Sequence, residues 1–453
     1  MKPNLFDNFN PISSKQWKQQ IQFELNGADY NETLIWNSPE NIKVRPFYHK
    51  DDAVVKFNIE TKASQFKICQ HIFVNDISKT IITANDAINR GAESLGFIIE
   101  NENLAIENLL NAINLEKISI YFYFNFLSKS FISKLKNFAK DKKTTFFYNL
   151  DPIGQLAKDG NWFKTPEKTN FDTLNQIATL SEHSFLSVNA GLYQNAGANM
   201  TQQIAYALSH ANEYFNRISK IKHPIVFDIS VGTNYFFEIA KLRALRLVFN
   251  AIAQEYNHDF DCHLVVRPSK RNKTIYDYNT NLLRTTTECM SAILGGADAI
   301  VNLPYDSLYH KNNEFGDRIA RNQLLILKNE SYFDKVNNPG DGSYYIESLT
   351  HQLAQKSLEL FKDIEKNGGF LKQLNDGTIK RKIQESADNE QNLFDSGKET
   401  LLGTNKYPNE NDRMKNDLEL FPFVKINPRK TLITPIIERR LAEKMEQERL
   451  NAE

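Results

Sequence analysis

Cysteine is scarce in this sequence, with Cys69, Cys262 and Cys289 as the only three. An odd number without close spacing excludes a disulfide framework and gives no cysteine-based metal site, so we predict that the chain holds no metal. Net charge is also missing, because 55 Lys and Arg balance 55 Asp and Glu. The sequence therefore favours neither nucleic acid nor an anionic membrane as a partner.

Long apolar runs are absent as well. The chain has no stretch of about 18 apolar residues, and its first 14 residues lack the apolar core of a signal peptide. These absences and the unpaired cysteines predict a cytoplasmic protein that does not enter a membrane.

Short apolar segments alternate with long amphipathic ones from about residue 94 onward. Eight segments are typical of strands that are covered on both faces: 94–99, 118–124, 144–150, 184–190, 225–231, 262–268, 299–305 and 343–348. Helical spacing of apolar residues marks 201–218, 236–256 and 317–330, and Gly295 and Gly296 end a further helix. Eight such units predict an α/β (β/α)8 TIM barrel.

Two appendages flank the predicted barrel of residues 61–368. Residues 1–60 form an N-terminal arm for subunit contact, with a short helix between Trp17 and Leu25 and then an extended stretch carrying Trp36. Residues 369–453 are polar and predict an extended wrapping linker that ends in a charged helix over 435–450.

Several segments carry a resemblance to a known family. They are WKQQIQFELNGADYNETLIW (17–36), NAGANMTQQIAYALSHANEYF (195–215), FEIAKLRALRLVF (237–249), NKTIYDYNTNLLRTTTECMSAILGGADAI (272–300), DRIARNQLLILKNES (317–331), NPGDGSYYIESLT (338–350) and FDSGKETLLGTNKY (394–407). Together and in this order they resemble the methylmalonyl-CoA mutase family over nearly the whole chain.

The resemblance implies radical isomerisation of succinyl-CoA and methylmalonyl-CoA on adenosylcobalamin, which such enzymes hold between the barrel and a separate flavodoxin-like domain. That domain carries Asp-x-His-x-x-Gly. The single Asp-x-His here, Asp261-Cys262-His263, lacks the Gly and lies in a predicted strand. We therefore expect no cobalamin domain in this chain and no cofactor bound to it. The partner, a large (alpha) catalytic subunit, would bind adenosylcobalamin for the complex.

Four positions that match the family's substrate pocket are degenerate. His71 replaces a tyrosine that packs on the substrate, and Leu192 replaces the histidine that hydrogen-bonds the thioester carbonyl. Val265 and Arg267 stand where catalytic subunits have His and Gln. Leucine offers no donor to a developing negative charge, so we predict that no catalytic residue is retained. For His71, a hydrogen-bonded core residue is the favoured interpretation over an acid or base.

Other pocket features leave alternatives open. Lys158 is the nearest match to the family's carboxylate-binding Arg, although a lysine does not reproduce a bidentate clamp. Arg267 and Arg271 either bind an anion at the barrel mouth or pair with nearby acids. Bulky side chains at four strand positions would close the family's axial pantetheine passage if they faced inward: Phe97, Phe122, Phe147 and Phe227.

The leading hypothesis is therefore a non-catalytic small (beta) subunit that stabilises a catalytic large subunit for propionate metabolism. The alternative is the catalytic barrel of a split acyl-CoA mutase whose cobalamin domain is a separate chain. A third hypothesis is a homodimeric protein that binds CoA esters without a mutase partner.

Overall fold

Eight parallel strands form a closed barrel in this chain. The computed structural model describes residues 5–6, 9–52, 58–140, 142–425 and 427–453. In order around the barrel the strands are β3 (Lys67–Phe73), β4 (Ser94–Ile99), β5 (Ser119–Phe124), β6 (Phe146–Leu150), β7 (Ser184–Asn189), β8 (Val226–Val231), β9 (His263–Pro268) and β10 (Ala299–Val301). The predicted (β/α)8 fold is confirmed.

Helices cover the outside of the barrel, as helices must where both faces of a parallel sheet are buried. They are α3 (Ile77–Asn89), α4 (Ile106–Asn111), α5 (Lys129–Ala139), α6 (Pro152–Asp159), α7 (Glu167–Leu180), α8 (Gly191–Asn195), α9 (Met200–Arg217), α10 (Tyr235–Glu255), α11 (Thr280–Leu294), α12 (Glu314–Asn329) and α13 (Tyr344–Lys366). The three predicted helices are α9, α10 and α12, and Gly295 caps α11.

One predicted strand is wrong, and one strand was missed. Segment 343–348 begins α13, because Ile346, Leu349 and Leu353 recur at helical spacing and are all buried. The missing strand is β3, which pairs with both β10 and β4 and closes the barrel. Its sequence, KICQHIF, is interrupted by the adjacent polar residues Gln70 and His71, so it lacks the continuous apolar run that marks the other strands.

The barrel interior and the layer beneath the helices are separate cores. Of the four phenylalanines with undecided direction, Phe97, Phe122 and Phe227 belong to the large core shared with the helices. Phe147 belongs to a small cluster built only from strand residues, so it faces the barrel axis.

The N-terminal arm contains α1 (Ser14–Glu24) and α2 (Tyr30–Leu34), then a two-stranded antiparallel sheet of β1 (Trp36–Asn37) and β2 (Lys43–Val44). The predicted short helix is α1, whereas the predicted extended stretch contains a second helix, capped by Asp29. Residues 1–4, 7, 8 and 53–57 of the predicted arm lie outside the described residues.

The C-terminal region is more helical than predicted. It contains α14 (Phe370–Asn375) and α15 (Thr378–Asp395), and α15 buries one narrow apolar face through Ile379, Ile383 and Phe394. That face was too narrow to stand out among polar residues. Residue 426 of the predicted linker lies outside the described residues, and the boundaries at residues 60 and 368 stay predictions.

The predicted terminal helix is too long, because α16 begins only at Glu443 and runs to Ala452. Residues 429–442, here named the C-terminal strap, cross the barrel instead. The amides of Ile433 and Ile436 donate to the carbonyls of Gly160 and Ala157. Both isoleucines are buried.

No helix in the described ranges combines the length and apolar character needed to cross a bilayer.

Candidate functional site

A cavity of about 500 Å³ lies at the carboxyl ends of the strands, the end where barrel enzymes place their active sites. Its lining includes His71, Asn149, Asp228 and Arg267, each from a different strand. The C-terminal strap adds Glu438.

Three aromatic rings block the barrel axis on the amino-terminal side of this cavity. Tyr121 and Phe147 stack with centroids 4.6 Å apart, and Phe147 and His263 stack at 4.4 Å. Tyr121 Oη and His263 Nε2 are hydrogen-bonded at 2.8 Å. Because β5 and β9 stand on opposite sides of the eight-stranded barrel, this bond crosses the axis. We name these three residues the ring stack.

Arg267 and Asp228 form an ion pair between β9 and β8 on the wall of the cavity. Burial raises the pKa of Asp228, although Arg267 opposes the shift. Burial also works against the charged form of Arg267, but Asp228 beside it leaves the pKa of the guanidinium raised. Arg267 is thus paired with an acid through Nη2, while its side chain remains 30% exposed, so the pairing does not by itself exclude a bound anion. Arg271 is paired as well, with Glu390 of α15.

His71 points into the barrel between two neighbours. Its ring centroid lies 4.8 Å from that of Tyr123, and a Cβ on Gly96 would come within 2.4 Å of the imidazole. Gly96 thus provides the space that His71 fills. Burial lowers the pKa of His71 well below its ordinary value, so the ring is neutral near pH 7. Its Nε2 has no hydrogen-bond partner in the described part of the chain, which differs from the hydrogen-bonded core residue favoured above.

Comparison with known proteins gives a consistent result. A family model for methylmalonyl-CoA mutase matches residues 99–447. A methylmalonyl-CoA mutase small subunit from Porphyromonas gingivalis is 31% identical over 445 residues, which cover 90% of this chain and 72% of the relative. The chain belongs to the methylmalonyl-CoA mutase family.

Other relatives in the methylmalonyl-CoA mutase family are longer. The methylmalonyl-CoA mutase of Rhizobium meliloti is 32% identical over 289 residues, covering 61% of this chain and 39% of the relative. The corresponding protein of Cereibacter sphaeroides is 26% identical, covering 86% and 64%. The chain thus spans less than two thirds of the length of these two mutases.

Leu192, predicted above to replace the family's carbonyl-binding histidine, lies in α8 directly after β7. Its side chain is 1% exposed and packs in the large core. The adjacent Gly191 lines the cavity, and Asn189 Oδ1 accepts the Leu192 amide hydrogen at 3.3 Å. This position therefore presents no donor to the cavity.

Val265 and Lys158 are two other residues predicted above to match the family's pocket positions. Val265 is fully buried in the strand-only cluster inside the barrel, so apolar packing replaces a polar pocket group there. Lys158 lies at the exposed edge of the cavity on α6. A carboxylate bound at this rim would stay in contact with water, where a lysine gives little stabilisation.

Adenosylcobalamin does not fit the residues described here. The one candidate cobalt ligand, His263, is engaged by Tyr121 inside the barrel, and Asp261 is paired with Arg246. Nor do the described residues include a group of three or more His, Cys, Asp or Glu side chains placed to hold a metal ion.

Sequence reasoning missed several residues that shape this site, namely Tyr121, Asn149, Asp228 and Glu438. Asp228 and Asn149 are polar residues inside otherwise apolar strand segments, and that interruption was a usable signal. Glu438 had no such signal, because only the folded path of the C-terminal strap brings it to the barrel mouth.

Proposed function

We propose that this chain is the non-catalytic small (beta) subunit of a heterodimeric, adenosylcobalamin-dependent methylmalonyl-CoA mutase. In this proposal it stabilises a catalytic large (alpha) subunit, and that partner binds the cobalamin and performs the isomerisation of succinyl-CoA and methylmalonyl-CoA. The observation that carries the proposal is the ring stack across the barrel axis.

The ring stack opposes binding of a CoA thioester in the manner of the family. A catalytic barrel passes the pantetheine arm along its axis, and here a hydrogen bond between opposite strands occupies that axis. Tyr121 is 1% exposed, so no side channel runs past its ring. Moving these rings apart would break tight aromatic packing and a buried hydrogen bond, both of which are costly.

The second support is the lack of a carbonyl donor at the matching position. Acyl-CoA isomerisation needs a hydrogen-bond donor at the thioester oxygen, and Leu192 is an apolar residue turned into the core. Val265 adds a second apolar replacement.

The N-terminal arm supports the partner half of the proposal. None of the residues of α1 is buried, and Trp17 and Phe23 are 47% and 79% exposed. Trp36 is also exposed, and its ring makes an edge contact with Phe237 at 5.6 Å between centroids. Large apolar side chains grouped on one segment are typical of surfaces that a partner covers.

The decisive experiment compares the chain alone with the chain co-expressed with a full-length large subunit. Both samples receive adenosylcobalamin and succinyl-CoA, and methylmalonyl-CoA is measured. We expect no product from the chain alone, stable co-purification of the two subunits, and activity only in the complex.

A further sample combines this chain with an isolated cobalamin-domain protein and no large subunit. Product formed there would overturn the proposal in favour of the split acyl-CoA mutase. A large subunit carrying a His-to-Ala change in its Asp-x-His-x-x-Gly motif serves as the control, because it should abolish the activity of the complex while leaving co-purification intact.

A further inference from the structure

The cavity above the ring stack contains polar atoms that the protein leaves without partners. Asn149 is only 5% exposed, yet neither its Nδ2 nor its Oδ1 has a hydrogen-bond partner among the described residues. The same holds for Asp228 Oδ1, Arg267 Nε and His71 Nε2. Tyr123 Oη and Ser307 Oγ, which also line the cavity, are in the same state. Most buried polar groups in proteins are satisfied, so six residues in this state around one cavity require an explanation.

The backbone conformation at Asn149 is a second observation that indicates a ligand site. This residue has a φ of +31°, and the register between β6 and β7 shifts between Phe147 and Leu150. A non-glycine residue in this left-handed region inside a strand carries a conformational cost, and such positions cluster at ligand sites. Asn149 is two residues after the inward-facing Phe147 and so lies on the same face of β6, where it lines the cavity.

The chemistry of the wall defines what would bind. The Arg267 side chain is 30% exposed, and a single Nη2 hydrogen bond joins it to Asp228, leaving much of its donor fork for another group. A planar guanidinium is suited to a carboxylate. Asp228 Oδ1, on the acid paired with Arg267, and Asn149 Oδ1, on the wall of the same cavity, are acceptors without partners among the described residues, so they suit a hydroxyl or amine on the same ligand.

Size and access limit the ligand further. The ring stack closes the amino-terminal side, so entry is from the rim, where Phe73, Asn125 and Lys270 are exposed. A volume of about 500 Å³ holds a small metabolite. A CoA arm reaching in along the axis is excluded by the same rings that oppose catalysis.

We propose that this cavity is a binding site for a small free carboxylic acid with a hydroxyl or amine beside its carboxylate, held by Arg267, Asp228 and Asn149. The site is independent of cobalamin and of turnover. It would give the subunit a ligand of its own, in addition to the scaffolding role proposed above.

Isothermal titration of the full chain tests this site with four probes: L-malate, L-aspartate, succinate and coenzyme A. We expect binding of L-malate or L-aspartate, and the comparison between them distinguishes the hydroxyl from the amine. Succinate, a carboxylate with no adjacent donor, should bind at least several-fold more weakly, and coenzyme A should not compete. Absence of binding by both L-malate and L-aspartate, or competition by coenzyme A, would overturn the proposal.

Two variants locate the binding. Arg267→Gln combined with Asp228→Asn removes both charges while keeping similar shapes, and should weaken binding about tenfold or more. Arg267→Lys retains the ion pair but loses the planar fork, so it tests the site even where the double variant does not fold. Arg429→Gln is the matched control. It removes an arginine of the C-terminal strap that pairs with Asp159 of α6, and it should leave binding unchanged.

Unchanged affinity in Arg267→Lys would contradict the site assignment. Because these titrations need neither cobalamin nor the large subunit, their failure would leave the proposed subunit role, which depends on the ring stack, as it stands.

Discussion

Leu192 shows how a single residue can lose a catalytic role and take a structural one. Leu192→His restores the residue that the family uses at this position, yet the side chain would enter an apolar core instead of the cavity. We expect no mutase activity in this variant. We also expect a loss of about 2 kcal/mol or more in the free energy of unfolding, because an imidazole without a partner is buried. Urea denaturation and the activity assay measure both effects.

The matched control for this change is Leu283→His, at a leucine that is 69% exposed on α11. Its effect on unfolding should stay within about 0.5 kcal/mol. Activity recovered by Leu192→His alone would show that the core interpretation is wrong.

Asp317 gives a prediction about pH. Burial raises the pKa of this carboxyl from an ordinary 3.8 to about 6, although Arg321 opposes the shift. The folded state therefore holds the proton more tightly than the unfolded chain. The resulting stabilisation is present below about pH 4 and is lost as the pH rises through about 6.

Asp317→Asn should remove this dependence while keeping an oxygen for the Gln70 amide, which donates to Asp317 at 3.2 Å. Between about pH 4 and pH 7, wild type should lose about 1–2 kcal/mol relative to the variant, allowing for partial exposure. Urea unfolding of both proteins across this range is the measurement. Parallel curves would contradict the raised pKa.

Individual residues also show which features of the site could and could not be predicted from the sequence. The substitutions at Leu192 and Val265 could be identified because a motif gives each a matching position. The Tyr121–His263 bond could not, because it joins strands that are far apart in the chain and opposite in the barrel. Alternation along a strand assigns a residue to one of two faces without choosing which.

Among the secondary-structure elements, α16 and the C-terminal strap are tied to the barrel by a buried ion pair. Arg440 pairs with Glu446, which is 1% exposed and also accepts the Ile275 amide hydrogen at 2.8 Å. Arg440→Met would leave this carboxylate buried without its cation. We expect a loss of about 3–5 kcal/mol, measured by urea denaturation.

Arg381→Met provides the comparison, since Arg381 pairs with Glu385 on the exposed face of α15 at 2.7 Å. Exposed pairs of this kind contribute little, so a change within about 0.5 kcal/mol is expected. Equal effects of the two substitutions would mean that the strap is not anchored through Arg440.

Elements were predictable where their apolar pattern was continuous. Seven of the eight barrel strands were found from such patterns, and β3 was missed because Gln70 and His71 interrupt it with side chains that face the site. Helix α15 was not predicted because most of its residues are polar and only a narrow apolar face is buried. In each case tertiary burial, which local sequence does not display, selected the element.

For the whole molecule, the N-terminal arm is the surface that we propose to contact the large subunit, because its large apolar side chains are exposed. Trp17→Ala and Phe23→Ala remove large exposed apolar side chains without touching the barrel core. We expect the affinity for the large subunit to fall about tenfold or more in the double variant, because aromatic anchors dominate interface energies. The thermal unfolding of the isolated chain should not change.

Ile82→Ala, which truncates an exposed isoleucine on α3, is the control. Surface plasmon resonance with an immobilised large subunit measures all three proteins. Equal affinity of the arm variant and the control would place the interface elsewhere on the molecule.

The ring stack is difficult to remove by single substitutions. Its three side chains come from β5, β6 and β9, and each is held by the others. Shortening any one of them leaves a void, and shortening Tyr121 or His263 also leaves the other without its hydrogen-bond partner. Each single substitution towards an open passage would therefore weaken the fold without making room for a substrate, so opening the axis requires several of these residues to change together.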